Sequence, residues 1–224
     1  MKLYKLISNK DIMNLIKVYF IRHGQTKFNL LNRIQGSSDI KLTKEGIVQA
    51  INCNLDKNIN FDIGYHSSLS RSKDTLDVIC KGLVIKPKIV CNDLIIERSY
   101  GIFEGLTESE IKSKYTDLYF KWIKDENTEI KNAETIDNVL NRINKFLNLL
   151  VINKFKNVLV VTHSGILYTL FKYITDTKFS SRPNIKFNNC SVQILDIFYL
   201  NNKIINLHFH IGNHTYIHRC SPTK

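Results

Sequence analysis

The stretch that decides the fold is Val18-Tyr19-Phe20-Ile21-Arg22-His23-Gly24-Gln25-Thr26, an apolar run that continues directly into Arg-His-Gly. Because residues 18–21 form an almost unbroken apolar run, it predicts a β-strand buried on both faces of a sheet. Open α/β sheets bind ligands at the carboxyl ends of their strands, so Arg22 and His23 are candidate site residues. Gly24 has no Cβ and allows the backbone to turn sharply beside a ligand.

A second apolar run ends in the same way much later in the chain. Val158-Leu159-Val160-Val161 leads into Thr162-His163-Ser164-Gly165, and an apolar helix is predicted to follow as far as Ile174. The run has the composition of another buried strand. His163 is therefore a second candidate site residue, placed by the same logic as the first histidine.

Composition limits the function classes. The 224 residues suffice for one domain with a sizeable core, and 43% hydrophobic with 23% charged residues is ordinary for a globular protein. The balance of 32 Lys and Arg against 20 Asp and Glu leaves a net charge of +12, which favours anionic partners. Most lysines are scattered rather than clustered, so we predict solvated surface and no nucleic-acid partner.

Cysteine usage and hydropathy predict a cytoplasmic protein. The five cysteines are an odd number without close spacing, which is typical of reduced thiols. No apolar run reaches the roughly 20 residues that a membrane helix needs, so no membrane partner is predicted. Residues 1–16 are expected to form a short N-terminal arm that packs outside the sheet, and residues 17–224 a single domain.

Helix and strand signals alternate along the chain. Helices are predicted after Thr43 and Ser70, from the capping box Thr107-x-x-Glu110, over 116–123, over 134–153 and up to Ile174. Strands are predicted at 61–65, 88–96, 158–161, 189–200 and 203–209, with a hairpin turn at Asn201-Asn202. The alternation predicts an α/β fold of three layers, α/β/α, with a mostly parallel central sheet. Residues 106–132 are expected to form a helical lid.

Four motif blocks occur in a fixed order and cover most of residues 17 to 175. They are Arg22-His23-Gly24-Gln25-Thr26-x-x-Asn29 with Arg33-x-Gln35-Gly36, then Ser67-x-Leu69-x-Arg71-x-x-x-Thr75, Glu97-x-x-x-Gly101-x-x-Glu104-Gly105, and Val160-Val161-Thr162-His163-Ser164-Gly165. This ordered set resembles the histidine phosphatase superfamily, which is also called phosphoglycerate mutase-like. The resemblance implies the phosphoglycerate mutase-like fold and phosphoryl-transfer chemistry.

The resemblance implies that His23 is the nucleophile and forms a phosphohistidine. One ring nitrogen would be held by a backbone carbonyl near Gly24, which leaves the other nitrogen to attack phosphorus. Arg22 and Arg71 would bind the phosphate oxygens, since a planar guanidinium matches them with two parallel N–H groups. His163 would donate to the same phosphate and would gain from being cationic.

Glu97 stands where the family has its proton donor, and burial beside the phosphate would raise its pKa and keep the acid form populated. No metal is implied, because the protein itself supplies the positive charge. Glu104 and Glu110 lie nearby and are equally well explained as surface charges or helix caps. The residues predicted to bind substrate are Asn29, Gln35, Gly36, Arg98, Tyr100 and Ser164. Gln35 and Gly36 could instead form only a turn.

Phosphatase and mutase share this site, and its surroundings separate them. The segment Glu97-Arg98-Ser99-Tyr100-Gly101 resembles the mutases, but Thr107-Glu108 stands where they carry a substrate-binding lysine, and Trp122-Ile123-Lys124 replaces Trp-Arg-Arg. An acid near a doubly anionic substrate is unfavourable. We therefore predict a metal-independent phosphomonoester hydrolase that acts on a small phosphorylated metabolite without a cofactor. The alternatives are a phosphoglycerate mutase dependent on 2,3-bisphosphoglycerate, and a non-catalytic relative that binds phosphorylated ligands.

Four late histidines, His208, His210, His214 and His218, invite a metal site, but no cysteine or carboxylate stands at a supporting spacing. No metal is predicted there, and His214 is expected to border the pocket instead. The late strands also offer an edge through which two copies could pair as a homodimer.

Overall fold

The computed structural model describes residues 13–177 and 185–220. The strands are β1 (Asn14–Arg22), β2 (Ile63–His66), β3 (Lys88–Cys91), β4 (Asn157–Thr162), β5 (Val192–Leu200), β6 (Lys203–Ile211) and β7 (His214–Arg219). The α-helices are α1 (Lys27–Leu30), α2 (Lys44–Ile51), α3 (Ser70–Gly82), α4 (Glu108–Lys114), α5 (Thr116–Lys124), α6 (Ile136–Ile152) and α7 (Ser164–Thr175). Short 3-10 turns cover Asp93–Ile95 and Gly101–Phe103.

The strands form one sheet in the order β3-β2-β4-β1-β5-β6-β7. The four strands from β3 to β1 are parallel, and β5, β6 and β7 add to them in antiparallel fashion. The predicted α/β class with a parallel sheet at its core is thus confirmed. Because β1 and β4 are neighbouring parallel strands near the centre, their carboxyl ends meet at one edge of the sheet.

Side chains of β1 alternate between two hydrophobic cores, which is why this strand is apolar throughout. Val18 and Phe20 pack with helices α6 and α7, whereas Ile21 packs on the opposite face with helices α2 and α3. Burying each such side chain stabilises the fold by about 1.5–3 kcal/mol. The helices on both faces make the three layers that the alternating pattern predicts.

Several local signals are confirmed. Thr43 caps α2 by accepting from the Gly46 N–H, and Thr107 with Glu110 forms the capping box of α4. Asn201 and Asn202 both have positive φ, as the hairpin turn between β5 and β6 requires. These signals depend only on residues close together in sequence, so they can be predicted without knowing how the rest of the chain packs.

Other predictions need correction. The N-cap of α3 is Leu69 rather than Ser70, because the Ser70 amide and hydroxyl both bind the carboxylate of Asp39 instead. The spacing of Ile47, Ala50 and Ile51 predicts that all three face the core from α2, but Ile47 and Ile51 are 42% and 58% exposed and only Ala50 is buried. The predicted strand over 88–96 ends at Cys91, and a 3-10 turn begins at Asp93.

The strand boundaries also differ from prediction at both ends of the sheet. β1 begins at Asn14 and Ile16 is fully buried, so residues 14–16 belong to the sheet rather than to the arm; residues 1–12 lie outside the described residues. β7 was not predicted, because it is a mostly exposed edge strand with little apolar pattern. Pairing of two copies along such an edge stays a prediction. None of the helices in the described part of the chain has both the length and the apolar character needed to cross a membrane.

Candidate active site

The carboxyl ends of β1 and β4 bring the two predicted histidines together. Arg22 is in register with Thr162, and the His23 amide donates to the Thr162 carbonyl over 2.9 Å. The imidazoles of His23 and His163 lie side by side, with ring centroids 5.2 Å apart. Residues 140 positions apart in sequence therefore share one buried polar site.

His23 is held in a single ring orientation. Its Nδ1 lies 2.7 Å from the carbonyl oxygen of Gly24, as the family resemblance implied. Since a carbonyl only accepts, Nδ1 carries the proton and Nε2 of the neutral ring has a free lone pair. Burial lowers the pKa of His23 well below its ordinary value, and the charges of Arg22 and Arg71 lower it further. The ring is therefore neutral and suited to nucleophilic attack.

Gly24 is fixed by close packing as well as by its turn. A Cβ at this position would lie 2.4 Å from the Gly46 carbonyl oxygen, so any larger residue would push α2 away. The Gly24 amide donates to the Thr75 hydroxyl over 3.0 Å, which ties the turn to α3. Asn189 adds a third support by donating from Nδ2 to the His23 carbonyl at 2.7 Å.

Arg22 and Arg71 are anchored through their terminal nitrogens. Arg22 donates to the Phe187 carbonyl, and Arg71, which is fully buried, donates to the carbonyls of Gly36 and Ser38. The Nε atoms of both arginines are also buried, and neither has a hydrogen-bond partner among the residues that the structure describes. Buried N–H groups without a protein partner are rare and fit an anion as ligand.

His163 has a different environment from His23. Its Nε2 lies 2.8 Å from the hydroxyl of Ser67, and within the described residues its buried Nδ1 has no partner. Burial and the nearby cations, Arg71 first, lower the pKa of His163 well below its ordinary value. The imidazole is therefore neutral in this structure, whereas the resemblance favoured a cation. A phosphate dianion beside it would raise the pKa again.

Glu97 lies where the helix α7 begins. One carboxylate oxygen accepts from the Arg98 amide at 3.0 Å and the other from the Gly165 amide at 3.2 Å. Burial raises the pKa of Glu97, and the charge of Arg71 opposes part of that rise. A Cβ on Gly165 would come within 2.4 Å of the carboxylate, so the glycine makes room for the acid. A buried carboxyl with a raised pKa can supply a proton.

A cavity of about 410 Å³ opens above this group. The predicted residues that line it are Arg22, Asn29, Gln35, Gly36, Glu97, Tyr100 and Ser164. His23, Arg71 and His163 are almost completely covered and do not line this cavity, but Arg22, which does line it, is close enough to lower the pKa of both histidines. His214 is an exposed residue of β7 and does not line this cavity, contrary to expectation.

Arg98 is placed behind the cavity wall and does not line this cavity. Its guanidinium donates to the carbonyls of Glu134 and Glu126 and packs over the Tyr100 ring. It therefore stabilises the loop between α5 and α6. Glu134 and Arg142 form a two-pronged, mostly buried ion pair, so this pair also connects segments rather than lining the cavity.

Residues 106–132, which are predicted to form a lid, contribute to a small hydrophobic core. Phe103, Ile111, Trp122 and Ile130 pack together beside the cavity. Two acids of this region, Glu108 and Glu126, line the cavity wall, and Glu126 is paired with the buried Lys172 of α7 at 2.7 Å.

The sequence does not predict the support that four residues give to the site, namely Ser67, Thr75, Glu104 and Asn189. The first three lie within the quoted motif blocks, but hydrogen-bond partners cannot be read from a motif. Asn189 follows a stretch without any periodic signal. Nothing in its sequence context indicates the contact with His23.

The late histidines lie on the antiparallel strands. His210 contacts Asp196 at 3.1 Å and the Thr215 hydroxyl at 2.9 Å. Across residues 13–177 and 185–220, no three His, Cys, Asp or Glu side chains are grouped so that they could hold a metal ion.

The chain is similar in sequence to a known family of enzymes. The family model described as "Histidine phosphatase superfamily (branch 1)" matches residues 18–207. A 2,3-bisphosphoglycerate-dependent phosphoglycerate mutase from Buchnera aphidicola is 32% identical over 191 residues, which are 70% of this chain and 83% of the relative. Other mutases are matched over 42 to 61% of their own length.

Phosphatases are found as well. Phosphoserine phosphatase 1 from Hydrogenobacter thermophilus is 24% identical over 204 residues, which are 88% of this chain and 95% of the relative. The alpha-ribazole phosphatase from Shigella flexneri has the same fold, with a TM-score of 0.72 and 22% identity over 83% of this chain and 95% of the other.

Proposed function

The chain belongs to branch 1 of the histidine phosphatase superfamily, whose members are phosphatases or mutases, and from this premise we propose that it is a metal-independent phosphomonoester hydrolase acting through a phosphohistidine on His23. One observation carries the proposal. Arg22 and Arg71 lie beside the imidazole of His23, whose Nε2 is free to attack. The Nε atoms of both arginines are buried and have no partner among the described residues.

In the proposed first step, Nε2 of His23 attacks phosphorus while the bond to the ester oxygen breaks. The proton stays on Nδ1, which keeps donating to the Gly24 carbonyl, and this hydrogen bond stabilises the charge that develops on the ring. Arg22 and Arg71 bind the equatorial oxygens, where charge is spread in the transition state. Glu97 gives its proton to the departing oxygen, which leaves as an alcohol.

In the second step, water attacks the same phosphorus and the P–N bond breaks. The Glu97 carboxylate, now deprotonated, takes a proton from that water and is ready for the next substrate. His163 donates to the phosphate in both steps. The outcome is one alcohol and one inorganic phosphate for each ester consumed.

The cavity wall favours hydrolysis over mutase chemistry. A mutase must hold a substrate with two anionic groups, yet the wall presents the carboxylate of Glu108, and the second acid there, Glu126, is ion-paired with Lys172. Arg33 also lines the cavity, but it forms a two-pronged ion pair with Glu110. The identity to a named mutase keeps cofactor-dependent mutase, with 2,3-bisphosphoglycerate, as the second candidate.

We propose a small phosphorylated metabolite as substrate, since a cavity of about 410 Å³ accommodates a ligand of that class. The relative named phosphoserine phosphatase 1 makes phosphoserine one of the esters to test. All five cysteines are free thiols, which favours a reducing compartment such as the cytoplasm. Pairing of two copies along β7 remains part of the proposal.

Purified protein should be assayed against a panel of phosphomonoesters and, separately, against 3-phosphoglycerate with 2,3-bisphosphoglycerate. We expect phosphate release from at least one panel member and little formation of 2-phosphoglycerate. Efficient interconversion with little phosphate release would establish the mutase instead. Binding of orthovanadate with no phosphate on His23 for any ester would establish the non-catalytic relative.

A further inference from the structure

The carboxylate of Glu104 gathers more hydrogen bonds than its place in a short turn requires. One oxygen accepts from the amides of Ser37 and Tyr100, both at 2.9 Å, and from the Ser99 hydroxyl at 3.2 Å. The hydroxyls of Ser37 and Ser38 approach the other oxygen at 3.1 Å each. These donors belong to two separate segments, residues 36–39 and residues 97–101, so the carboxylate joins the two.

The first segment, residues 36–39, binds the side chain of Arg71 through its backbone carbonyls. The Arg71 guanidinium donates to the carbonyl of Gly36 at 2.8 Å and to that of Ser38 at 2.6 Å. Ser38 itself bonds to Glu104, and Gly36 directly precedes Ser37, which also bonds to Glu104. Gly36 has a positive φ, and a Cβ there would lie 2.0 Å from the Glu104 carboxylate. The segment is thus packed directly on Glu104, and its carbonyls determine where Arg71 sits.

The second segment holds the proton donor. The Arg98 amide binds Glu97, and Ser99 and Tyr100, which follow directly, bind Glu104. Tyr100 also lines the cavity. Glu104 therefore bonds both to the segment that binds Arg71 and to the residues that follow Glu97. It does not itself line the cavity.

We infer that Glu104 is a positioning residue for the proposed reaction, which fixes Arg71 against the segment that carries Glu97. It acts through hydrogen bonds to the backbone and hydroxyls of residues 37, 38, 99 and 100. The inference rests on the proposed function for its catalytic readout. The effect on anion binding can be measured without any turnover.

The pKa of Glu104 is consistent with this role. Hydrogen bonds from Ser37 and Tyr100 lower it below the ordinary value for glutamate and outweigh the opposite effect of partial burial. The carboxylate is consequently ionised throughout the pH range in which the enzyme would be assayed, and it accepts from all of its donors. A neutral side chain of the same shape could still accept from both amides through one oxygen.

Two variants test the geometry. Glu104→Ala removes every acceptor, and we expect kcat to fall and the inhibition constant of orthovanadate to rise, each by about 10- to 100-fold. Glu104→Gln keeps one acceptor oxygen for the two amides, while the serine hydroxyls can turn to accept from its NH₂ group. We expect it to remain within about fivefold of the wild type. A Gln variant as impaired as the Ala variant would overturn the inference.

Asp62→Ala is the matched control. Asp62 also accepts from two backbone amides of another segment, those of Lys156 and Asn157, but at the opposite end of the sheet. Both Ala variants should lose thermal stability, and activity should fall in Glu104→Ala alone. Equal activity of the two at equal loss of melting temperature would reduce Glu104 to a structural role.

A double-mutant cycle identifies the route of the effect. Arg71→Lys keeps the positive charge and removes the planar fork, so Glu104→Ala should add less than about twofold to its vanadate constant. Effects that multiply in full would show that Glu104 does not act through Arg71. If the wild type binds vanadate but hydrolyses no ester, the proposed function fails, while this cycle still decides the inference.

Discussion

The carboxyl ends of β1 and β4 look alike in sequence and differ in chemistry. Each strand is directly followed by a buried histidine, and the two strands are parallel neighbours in register. His23 binds the carbonyl of its neighbour Gly24, a group that only accepts. His163 binds the hydroxyl of Ser67, a group that both donates and accepts.

The partner of the second ring nitrogen therefore decides what each histidine can do. A carbonyl fixes the proton on one nitrogen of His23 and leaves the other as a nucleophile. A hydroxyl imposes no such choice: when Ser67 donates to Nε2, the ring proton is on Nδ1, which has no partner among the described residues and can donate to an anion. Strand position brings the rings together, and their hydrogen-bond partners separate their roles.

Replacing each histidine with alanine should break the symmetry most strongly. We expect His23→Ala to reduce kcat/KM by at least about 1,000-fold, because the covalent route is lost. His163→Ala should cost about 100-fold, the typical effect of removing one donor to the transition state. Phosphate release from an alkyl phosphate measures both values.

Trapping gives the control. In a sample quenched with alkali, His163→Ala should still carry phosphate on His23, detectable by mass spectrometry, and His23→Ala should carry none. Equal losses of activity together with equal labelling would contradict the division of roles between the two strand ends.

Glu97 is bonded to the Gly165 amide, which lies just after β4. The effect of removing its proton should depend on the leaving group of the ester. Glu97→Gln should reduce hydrolysis of glycerol phosphate by about 100-fold, because an alkoxide leaves poorly without a proton. Hydrolysis of p-nitrophenyl phosphate, whose leaving group is stable as an anion, should fall less than about fivefold. Similar losses on both esters would exclude Glu97 as the proton donor.

The pH dependence follows from the directions of the pKa shifts. The pKa of Glu97 is raised by burial, so the acid form persists to higher pH and kcat falls as pH rises through that pKa. The pKa of His23 is lowered, so the neutral nucleophile persists below pH 6.5, its ordinary value. Wild-type activity on glycerol phosphate should therefore favour acidic pH, and the alkaline fall should disappear in Glu97→Gln.

The central strands could be predicted from sequence because their signals are local. The apolar runs at 18–21 and 158–161 need no knowledge of the rest of the chain, and each ends at a histidine. The ordered motifs then added Arg71 and Glu97, which the structure brings to the same site.

The failures share a physical cause. Asn189, Ser67 and Glu104 act through hydrogen bonds to residues far away in sequence, and no spacing rule encodes such partners. Arg98 was predicted to bind substrate, yet two loop carbonyls compete for its guanidinium. β7 lies at an edge, where a strand is not selected for apolar side chains.

The smallest expected effect tests the hydroxyl at the β4 end. Ser67→Ala leaves the buried Nε2 of His163 without its partner in the free enzyme, which should cost about 1 kcal/mol and lower the melting temperature by about 2–4 °C. Activity should fall only about fivefold, because the phosphate would bind Nδ1, the ring nitrogen that Ser67 does not contact. Thr162→Val removes a buried hydroxyl bond of similar length to the Ile95 carbonyl without touching either imidazole. The Thr162→Val variant should be equally destabilised and fully active. A loss of activity in both variants would show that the effect comes from the strand rather than from the histidine. No loss of activity in Ser67→Ala would mean that the hydroxyl does not orient the ring.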